Sequence, residues 1–524
     1  MKHSPERRAL LRLAPLFAKT DGWLVAALLI AWVAALVPIW LPRLLPLVDL
    51  PNHLSAIAIL HHLGDPRWNA DHYYERALFP APYAGHYLPV HSLAYLFSIE
   101  TANKIYLTVY AAALPASVIV LGRRFHRSPW LSLLVFPLIF NDSLGWGFVS
   151  FSAGIPTVLF ALAALLAVLD SPTRGRLVAL LALTFLTYFM HFLTWLFFGV
   201  CALLICALYL RRPLRVLAAA AAMLPSVALA ITNIRHSAEI SAGPVFATGM
   251  KSFVAVFPTV TESLRELHLR LIMRFSDDHD QLVLIALSTS WILLATTSPP
   301  PAGAPEPSGA RAFIPQMVFA VALLGYFELP FRTYKPIDWW YINPRMAAVA
   351  AVLGALLPRG PIKGKRRWFV IPALIASVLY SAGMQTRFRE FNVRAAGFLH
   401  LMDRVPRGKN TLVLTYEQNL GPSLSKGLVF YLFNSYAVVL KGGHTPYQYD
   451  FGFPVRPRPG AKLPAPGWPN RPYEFRQATM GAQWDYVITF MEPGDGQLFG
   501  DFAGRVPLIG HDGDWRLYAS KDVR

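Results

Sequence analysis

Residues 23–41 form an apolar run without a single charged side chain. That is about the ~20 residues an α-helix needs to cross a hydrocarbon core. A bilayer tolerates only structures that satisfy their own backbone hydrogen bonds. Comparable runs recur as far as residue 384, which dictates an α-helical polytopic membrane protein. Composition agrees, with 55% of the 524 residues hydrophobic and only 15% charged. The formal charge of +18 does not point to nucleic acid, because lysines and arginines punctuate the apolar runs instead of forming one patch. Lys2, Arg7, Arg8, Arg12 and Lys19 precede the first run, so the positive-inside bias puts the N-terminus in the cytoplasm. That run is too long for a typical signal-peptide core and no small-residue cleavage site follows it, so it is expected to stay as the first span.

Breakers and basic clusters divide the rest into about eleven spans. An outer loop over 42–103 leads to a span near 105–121, stopped by Arg123, Arg124 and Arg127. A pair near 129–140 and 146–169 turns outside at Asn141-Asp142-Ser143 and returns to Arg174 and Arg176. Residues 177–210 are too long for one span and are bracketed by arginines, so the chain must go out and back, turning near 188–192 with His191 outermost. Residues 217–234 lead to a second outer loop, 235–280, ending in Asp277-Asp278-His279-Asp280, a candidate ion site or a solvated loop end. Spans over 282–297, 313–329, 346–357 and 368–384 follow. A Pro/Gly/Ala-rich inner loop at 298–311 and a basic turn at Lys363, Lys365, Arg366 and Arg367 separate them.

Residues 1–384 are thus the membrane domain. Residues 385–524 have soluble character, with helical spacing at 388–405 and a strand-like Thr411-Leu412-Val413-Leu414. Alternation over 484–490, a last strand at Trp515-Arg516-Leu517-Tyr518 and a Pro-rich excursion at 453–472 complete the pattern. About 140 residues can bury a core of their own, which predicts a C-terminal extracytoplasmic α/β domain.

Cys201 and Cys206 share one apolar run but no helix face, so neither a disulfide framework nor a thiol site is expected. Ionisable residues are scarce inside the spans and crowded in the first outer loop, which holds Asp49, His53, His61, His62, Asp65, Asp71, His72, Glu75, His86, His91 and Glu100. Pumps and transporters keep functional charges near the midplane; this distribution points to a site at the outer interface. Asp49-Leu50-Pro51-Asn52-His53 falls where the first span leaves the bilayer. Residues 52–63 have amphipathic spacing, with Leu54, Ile57, Ile59, Leu60 and Leu63 apolar, and are expected to lie along the membrane surface. Pro51 stiffens the start of that helix and holds Asp49 at a fixed exit point, where a partly buried carboxylate suits a general base. A plain turn-capping role fits the spacing equally well. Asp49 and His53 are four apart, so a divalent ion held by both is an open alternative. No phosphate loop, nucleophile elbow or zincin motif occurs in a suitable context.

A first span followed at once by an acidic outer-loop motif, surface helices, many further spans and a C-terminal extracytoplasmic domain resembles the C-type membrane glycosyltransferases (the GT-C superfamily). Protein mannosyltransferases, aminoarabinose transferases and oligosaccharyltransferases belong to it. The resemblance covers the whole architecture. It implies transfer of a sugar from a polyprenyl-phosphate-type lipid donor to a glycan, lipid or protein acceptor outside the cytoplasm. In such families the first-loop Asp activates the acceptor hydroxyl or binds a metal, and Asp49 is the matching position. A second acid often stands in the next outer loop, where this chain has Asp142. The Gly145-Trp146-Gly147-Phe148 that follows would admit a close backbone approach or ease a tight turn.

His191 is a substrate-binding candidate or a satisfied interfacial histidine. Arg345 starts an inward span at its outer end, where it would grip a lipid phosphate bidentately or snorkel to headgroups. Arg332 and Lys335 are further candidates in the same loop. Asp338-Trp339-Trp340-Tyr341 resembles the oligosaccharyltransferase Trp-Trp-Asp-Tyr-Gly motif, but the order differs and the glycine is missing. The first loop has no Asp-Glu or Asp-x-Asp pair, which leaves metal dependence open. The Ala/Arg/Leu-rich composition points to a bacterial inner membrane. The competing readings are a transporter or flippase of a lipid-linked substrate, which calls for repeated halves, and a non-catalytic assembly factor with a dispensable Asp49.

Overall fold

A computed structural model describes residues 21–241, 254–274, 278–297, 309–335, 339–419, 428–446, 454–461, 471–492 and 494–521. The N-terminal basic cluster, Asp277, most of the 298–311 loop, Asp338 and much of the Pro-rich excursion at 453–472 lie outside the described residues, as does the side chain of Lys335.

Helix α1 (Gly22–Trp40) begins where the Asp21 carboxylate accepts the Trp23 N–H at 3.2 Å and pairs with Arg367 at 2.5 Å. The first outer loop follows, folded as α2 (Leu50–His62), the short strand β1 (Tyr74–Arg76) and α3 (Ala84–Leu93). Next come α4 (Ile99–Arg124) and α5 (Val149–Asp170). Helices α6 (Arg174–Met190) and α7 (Phe192–Leu208) are hinged at His191. After α8 (Pro213–Ser241) and the strand β2 (Val254–Val256), α9 (His279–Thr296) and α10 (Ile314–Glu328) cross back and forth. Strands β3 (Arg332–Lys335) and β4 (Trp339–Trp340) then lead into α11 (Ile342–Gly354) and α12 (Ile371–Arg404). Among the described residues, six helical stretches, with α1, α4 and α5 among them, are long and apolar enough to cross a membrane, and α7 and α11 are shorter apolar helices. The chain is a multi-pass membrane protein.

Residues 129–140, expected as a helical span, are instead two 3-10 segments, Pro129–Val135 and Pro137–Phe140. Each begins with a proline, which interrupts α-helical hydrogen bonding. A 3-10 helix rises ~2.0 Å per residue against ~1.5 Å for an α-helix, so the same number of residues reaches further. Irregular backbone at membrane depth is tolerated only when protein surrounds it, and residues 130–141 are all buried. The segment runs antiparallel to α11: Arg127 Nε donates to Leu356 O at 3.0 Å at one end, and Tyr341 donates to Asp142 at the other.

The two poles of the bundle differ in charge. At one, Arg124 pairs with Asp170 at 3.9 Å, Arg215 donates to Leu169 O at 3.2 Å, and Arg366 donates to Leu294 O at 2.8 Å. The opposite pole carries α2, α3, β3, β4 and the C-terminal sheet.

Helix α2 does not lie on a membrane surface. Asn52, Ser55, Ala56 and Ala58 are as buried as Leu54, Ile57 and Leu60. The face that sequence spacing leaves polar is covered by α13 (Ser435–Lys441), where Asn52 Nδ2 donates to Ser435 Oγ at 3.4 Å.

The sheet beyond α12 orders β5 (Thr411–Thr415), β7 (Tyr486–Phe490), β9 (Trp515–Ala519) and β8 (Leu508–Asp512), with β5 parallel to β7 and the other pairs antiparallel. The remaining strand, β6 (Val455–Pro457), pairs with β1 and ties the first outer loop to this region. Alternate strand residues face opposite sides. Val413, Ile488, Phe490, Trp515 and Leu517 join the core of the membrane bundle, whereas Leu412, Leu414, Val487 and Tyr518 build a second cluster with Phe475 and Trp484. Helix α12 runs unbroken through residues 384 and 385 and forms the platform for the sheet. Trp515 Nε1 donates to Arg394 O at 2.6 Å, and a Cβ at Gly397 would stand 2.4 Å from Asp512 O.

Candidate functional site

Asp49 occupies the N-cap position of α2, yet its side chain makes no capping hydrogen bond. Its backbone is clamped instead. Asp49 N donates to Trp146 O at 2.9 Å and Val48 N donates to Gly145 O at 3.2 Å. Gly147 makes this approach feasible: at φ +87° it adopts a conformation other residues avoid, and a Cβ there would lie 2.6 Å from Asp49 N and 2.7 Å from Leu50 N. The glycine-flanked turn after Asp142 thus fixes the partly exposed Asp49 where α1 gives way to α2.

One turn further, His53 Nδ1 sits 2.6 Å from the Tyr87 hydroxyl. Burial, then the neighbouring His86 and Arg345 charges, push His53 down to about 3. His86 Nε2 donates to Asn103 Oδ1 at 2.9 Å, and burial pushes this imidazole down to about 4. Burial raises the Tyr87 phenol, with Tyr83 and the Asp49 carboxylate adding to it. Asp49 is therefore flanked by neutral imidazole and phenol groups.

Arg345 is 5% exposed, its guanidinium 3.9 Å above the Phe148 ring. Its Nη1 is 2.9 Å from His191 Nε2, and Nη2 donates to Trp340 O at 3.3 Å. His191 ends α6 and caps α7, its Nδ1 accepting Leu193 N–H at 3.0 Å. A neutral imidazole has one lone pair, and here two N–H groups are directed at it. Tyr83, in the left-handed region at φ +74°, presses edge-on to His191 with ring centroids 5.1 Å apart.

Asp142 is 1% exposed and accepts from the Tyr341 hydroxyl, which Arg270 also meets. Arg270 in turn pairs with Glu266. Tyr341 holds φ +61°, and strained non-glycine backbone persists only where its surroundings enforce it. The buried Asp142 thereby orients Tyr341, which stands beside Trp146 and Trp340 in one aromatic wall.

The structure therefore brings Asp49, His53, His191 and Arg345 into one neighbourhood, with Tyr87 between Asp49 and His53 and with Asp142 bound to the adjoining Tyr341. Arg332 stacks on Tyr334 of its own strand at 4.5 Å and pairs across β3 and β4 with Trp340, whose carbonyl accepts from Arg345. Asp280 of the acidic loop end is fully buried and pairs with Arg274 at 2.6 Å, which makes it structural. Among the described residues no three His, Cys, Asp or Glu side chains are grouped to hold a metal. Sequence reasoning missed Tyr83, Tyr87, Trp340 and Tyr341. The aromatic run 339–341 beside Arg345 was their one visible signal.

No protein-family model and no curated protein matches this chain. Among solved structures, ArnT from Cupriavidus metallidurans in the apo state is similar over 95% of this chain and 98% of that one, with a TM-score of 0.52 and 12% identity. The same protein bound to undecaprenyl phosphate gives the same figures. Mycobacterial arabinofuranosyltransferase AftD covers 96% of this chain and 42% of its own, with a TM-score of 0.48 and 12% identity. The likeness to ArnT over nearly both whole chains shows that the two share a fold.

Proposed function

We propose that this GT-C-fold chain is an integral membrane glycosyltransferase that moves a sugar from a polyprenyl-phosphate-type lipid to an acceptor hydroxyl outside the cytoplasm. The observation that carries this reading is the clamped Asp49: a helix-capping position whose carboxylate does not cap, fixed through its backbone by the Gly145–Gly147 turn. Nucleotide sugars are confined to the cytoplasm, so an outward-facing transferase needs a donor carried in the membrane. The undecaprenyl phosphate bound by ArnT is such a carrier's headgroup and chain. The basic pole faces the cytoplasm of a bacterial inner membrane, the N-terminus with it, and eleven crossings bring the C-terminal sheet outside. Residues 129–140 make the one crossing without an α-helix.

In this reading Asp49 takes the proton of the acceptor hydroxyl as its oxygen bonds to the sugar's anomeric carbon. The bond from that carbon to the lipid phosphate breaks, and the electron pair leaves with the phosphate. Arg345 meets the charge that develops there, where a preorganised buried guanidinium acts most strongly. An anion that draws Arg345 towards itself also relieves the competition of two N–H donors for His191. Burial holds His53 at about 3 and makes it a weak proton acceptor, and in this reading Asp49 takes the proton. Arg345→Lys should weaken binding of undecaprenyl phosphate and lower transfer ~10²-fold, because a point charge replaces a fork. Titration of the purified variant with undecaprenyl phosphate tests this, and wild-type affinity together with wild-type transfer would remove Arg345 from the site.

A further inference from the structure

A cavity of about 330 Å³ opens beside the end of α1, away from the Asp49 site, between Leu41 and Arg43 on one side and Gln385, Arg389, Asn392 and His400 of α12 on the other. Two of its lining residues are already engaged. Asn392 exchanges hydrogen bonds with the Leu44 backbone, and His400 pairs with Asp512 at 2.6 Å. The two arginines are not: among the described residues neither Arg43 nor Arg389 has an ion pair or hydrogen bond, and Gln385 Oε1 is buried without a partner. No carboxylate lines the cavity. Both arginines are exposed at this cavity, and an anion able to accept from both forks would bridge them.

The surroundings identify where that anion comes from. Along the face of α12 leading to Arg389, Ile375 is 53% exposed and Leu379 is 60% exposed. On α1, Val33 is 56%, Trp40 42% and Leu41 69% exposed. These lie on the lipid-facing sides of two packed membrane helices, so the cavity sits where an apolar stripe ends and a pair of arginines begins. An anion with an apolar chain attached satisfies both halves, as cationic side chains at headgroup height do for acidic lipids. We infer that this cavity binds the phosphate headgroup of an anionic membrane lipid, its chain lying along α1 and α12.

The cavity is built where the platform helix leaves the bundle, so a lipid seated there braces α12 against the end of α1. The inference stands apart from the transferase reading, since its readout is lipid binding and not transfer. The test titrates the full-length protein in detergent with dioleoylphosphatidylglycerol and counts bound lipid by native mass spectrometry. Wild type should bind it saturably, and Arg43→Gln/Arg389→Gln about tenfold or more weakly. The control Arg394→Gln/Arg458→Gln removes the same charge outside the cavity and should bind like wild type. Inorganic phosphate and glycerol 1-phosphate, which lack the chain, should compete only weakly. Equal affinity in the Arg43/Arg389 variant overturns the site. Inorganic phosphate binding as tightly as the lipid overturns the lipid as its source.

Discussion

At the scale of single residues, the account turns on how a carboxylate is held. Pro51 and the end of an apolar run place Asp49 at an exit point, and that much is legible in the chain. What fixes it is Gly147, nearly a hundred positions away, whose missing Cβ lets the Trp146 carbonyl reach the Asp49 N–H. Gly147→Ala should therefore displace Asp49 and strain a left-handed backbone, with a stability loss of about 1–3 kcal/mol and a larger fractional loss of transfer. Thermal unfolding and transfer measured on the same preparation check this, and an unchanged pair of values would contradict it. The imidazoles make a second, pH-dependent prediction. His53 is held at about 3 and His86 at about 4, both below the ordinary 6.5 of an unfolded chain. Between those values the unfolded chain binds more protons, so stability is complete above about pH 6.5 and falls as the pH drops towards the folded values. The unfolding midpoint in detergent should fall from pH 7 to pH 5, and His53→Gln should flatten part of that slope. Asp142 looks in the sequence like a second catalytic acid; in the structure it is buried and accepts from the Tyr341 hydroxyl.

At the scale of elements, apolar periodicity located the helices because membrane spans are long and their breakers are strong. The turn at His191 and the strands at 411, 486 and 515 stand within a few residues of where the pattern puts them. Two elements escaped for physical reasons. Residues 129–140 are apolar enough for a helix, but Pro129 and Pro137 leave only 3-10 geometry, and hydropathy does not register hydrogen-bond type. Helix α2 is amphipathic by spacing, yet its polar face is buried, because α13 supplies partners for Asn52 from almost four hundred residues away. Helix α12 shows the same limit, since the change from apolar to polar composition near 384 suggests a linker where one helix continues. Continuity there transmits the position of the bundle to the sheet. Thr386 is exposed in that helix, so Thr386→Pro removes no packing but interrupts the hydrogen bonds, and should cost about 3 kcal/mol. It should also make the region beyond 404 protease-sensitive. Wild-type resistance to limited proteolysis would show that the sheet is held without the platform.

At the scale of the whole molecule, architecture was more legible than the site. A polytopic bundle with an acidic first loop and a terminal α/β region is written in hydropathy and charge, and the fold it gives is shared with ArnT over 95% of this chain. The site was legible only as candidates. Asp49, His53, His191 and Arg345 lie in three separate stretches of chain, and only folding brings them into one neighbourhood. The aromatic residues that complete it, Tyr83 and Tyr341, owe their positions to left-handed backbone that no periodicity announces. The terminal sheet shares its inner face with the bundle core, and a separate pair of strands, β1 and β6, ties the first loop to the chain between β5 and β7, so the molecule works as one body around the Asp49 pole. The most direct test of that body's chemistry is transfer of radiolabelled sugar from polyprenyl-phosphate donors in membranes bearing wild type or Asp49→Asn at matched protein levels. The account predicts transfer by wild type and a loss of ~10²–10⁴-fold in the variant, with its thermal stability intact. Equal transfer by the two proteins, or no transfer by wild type from any donor of a broad panel, would contradict it.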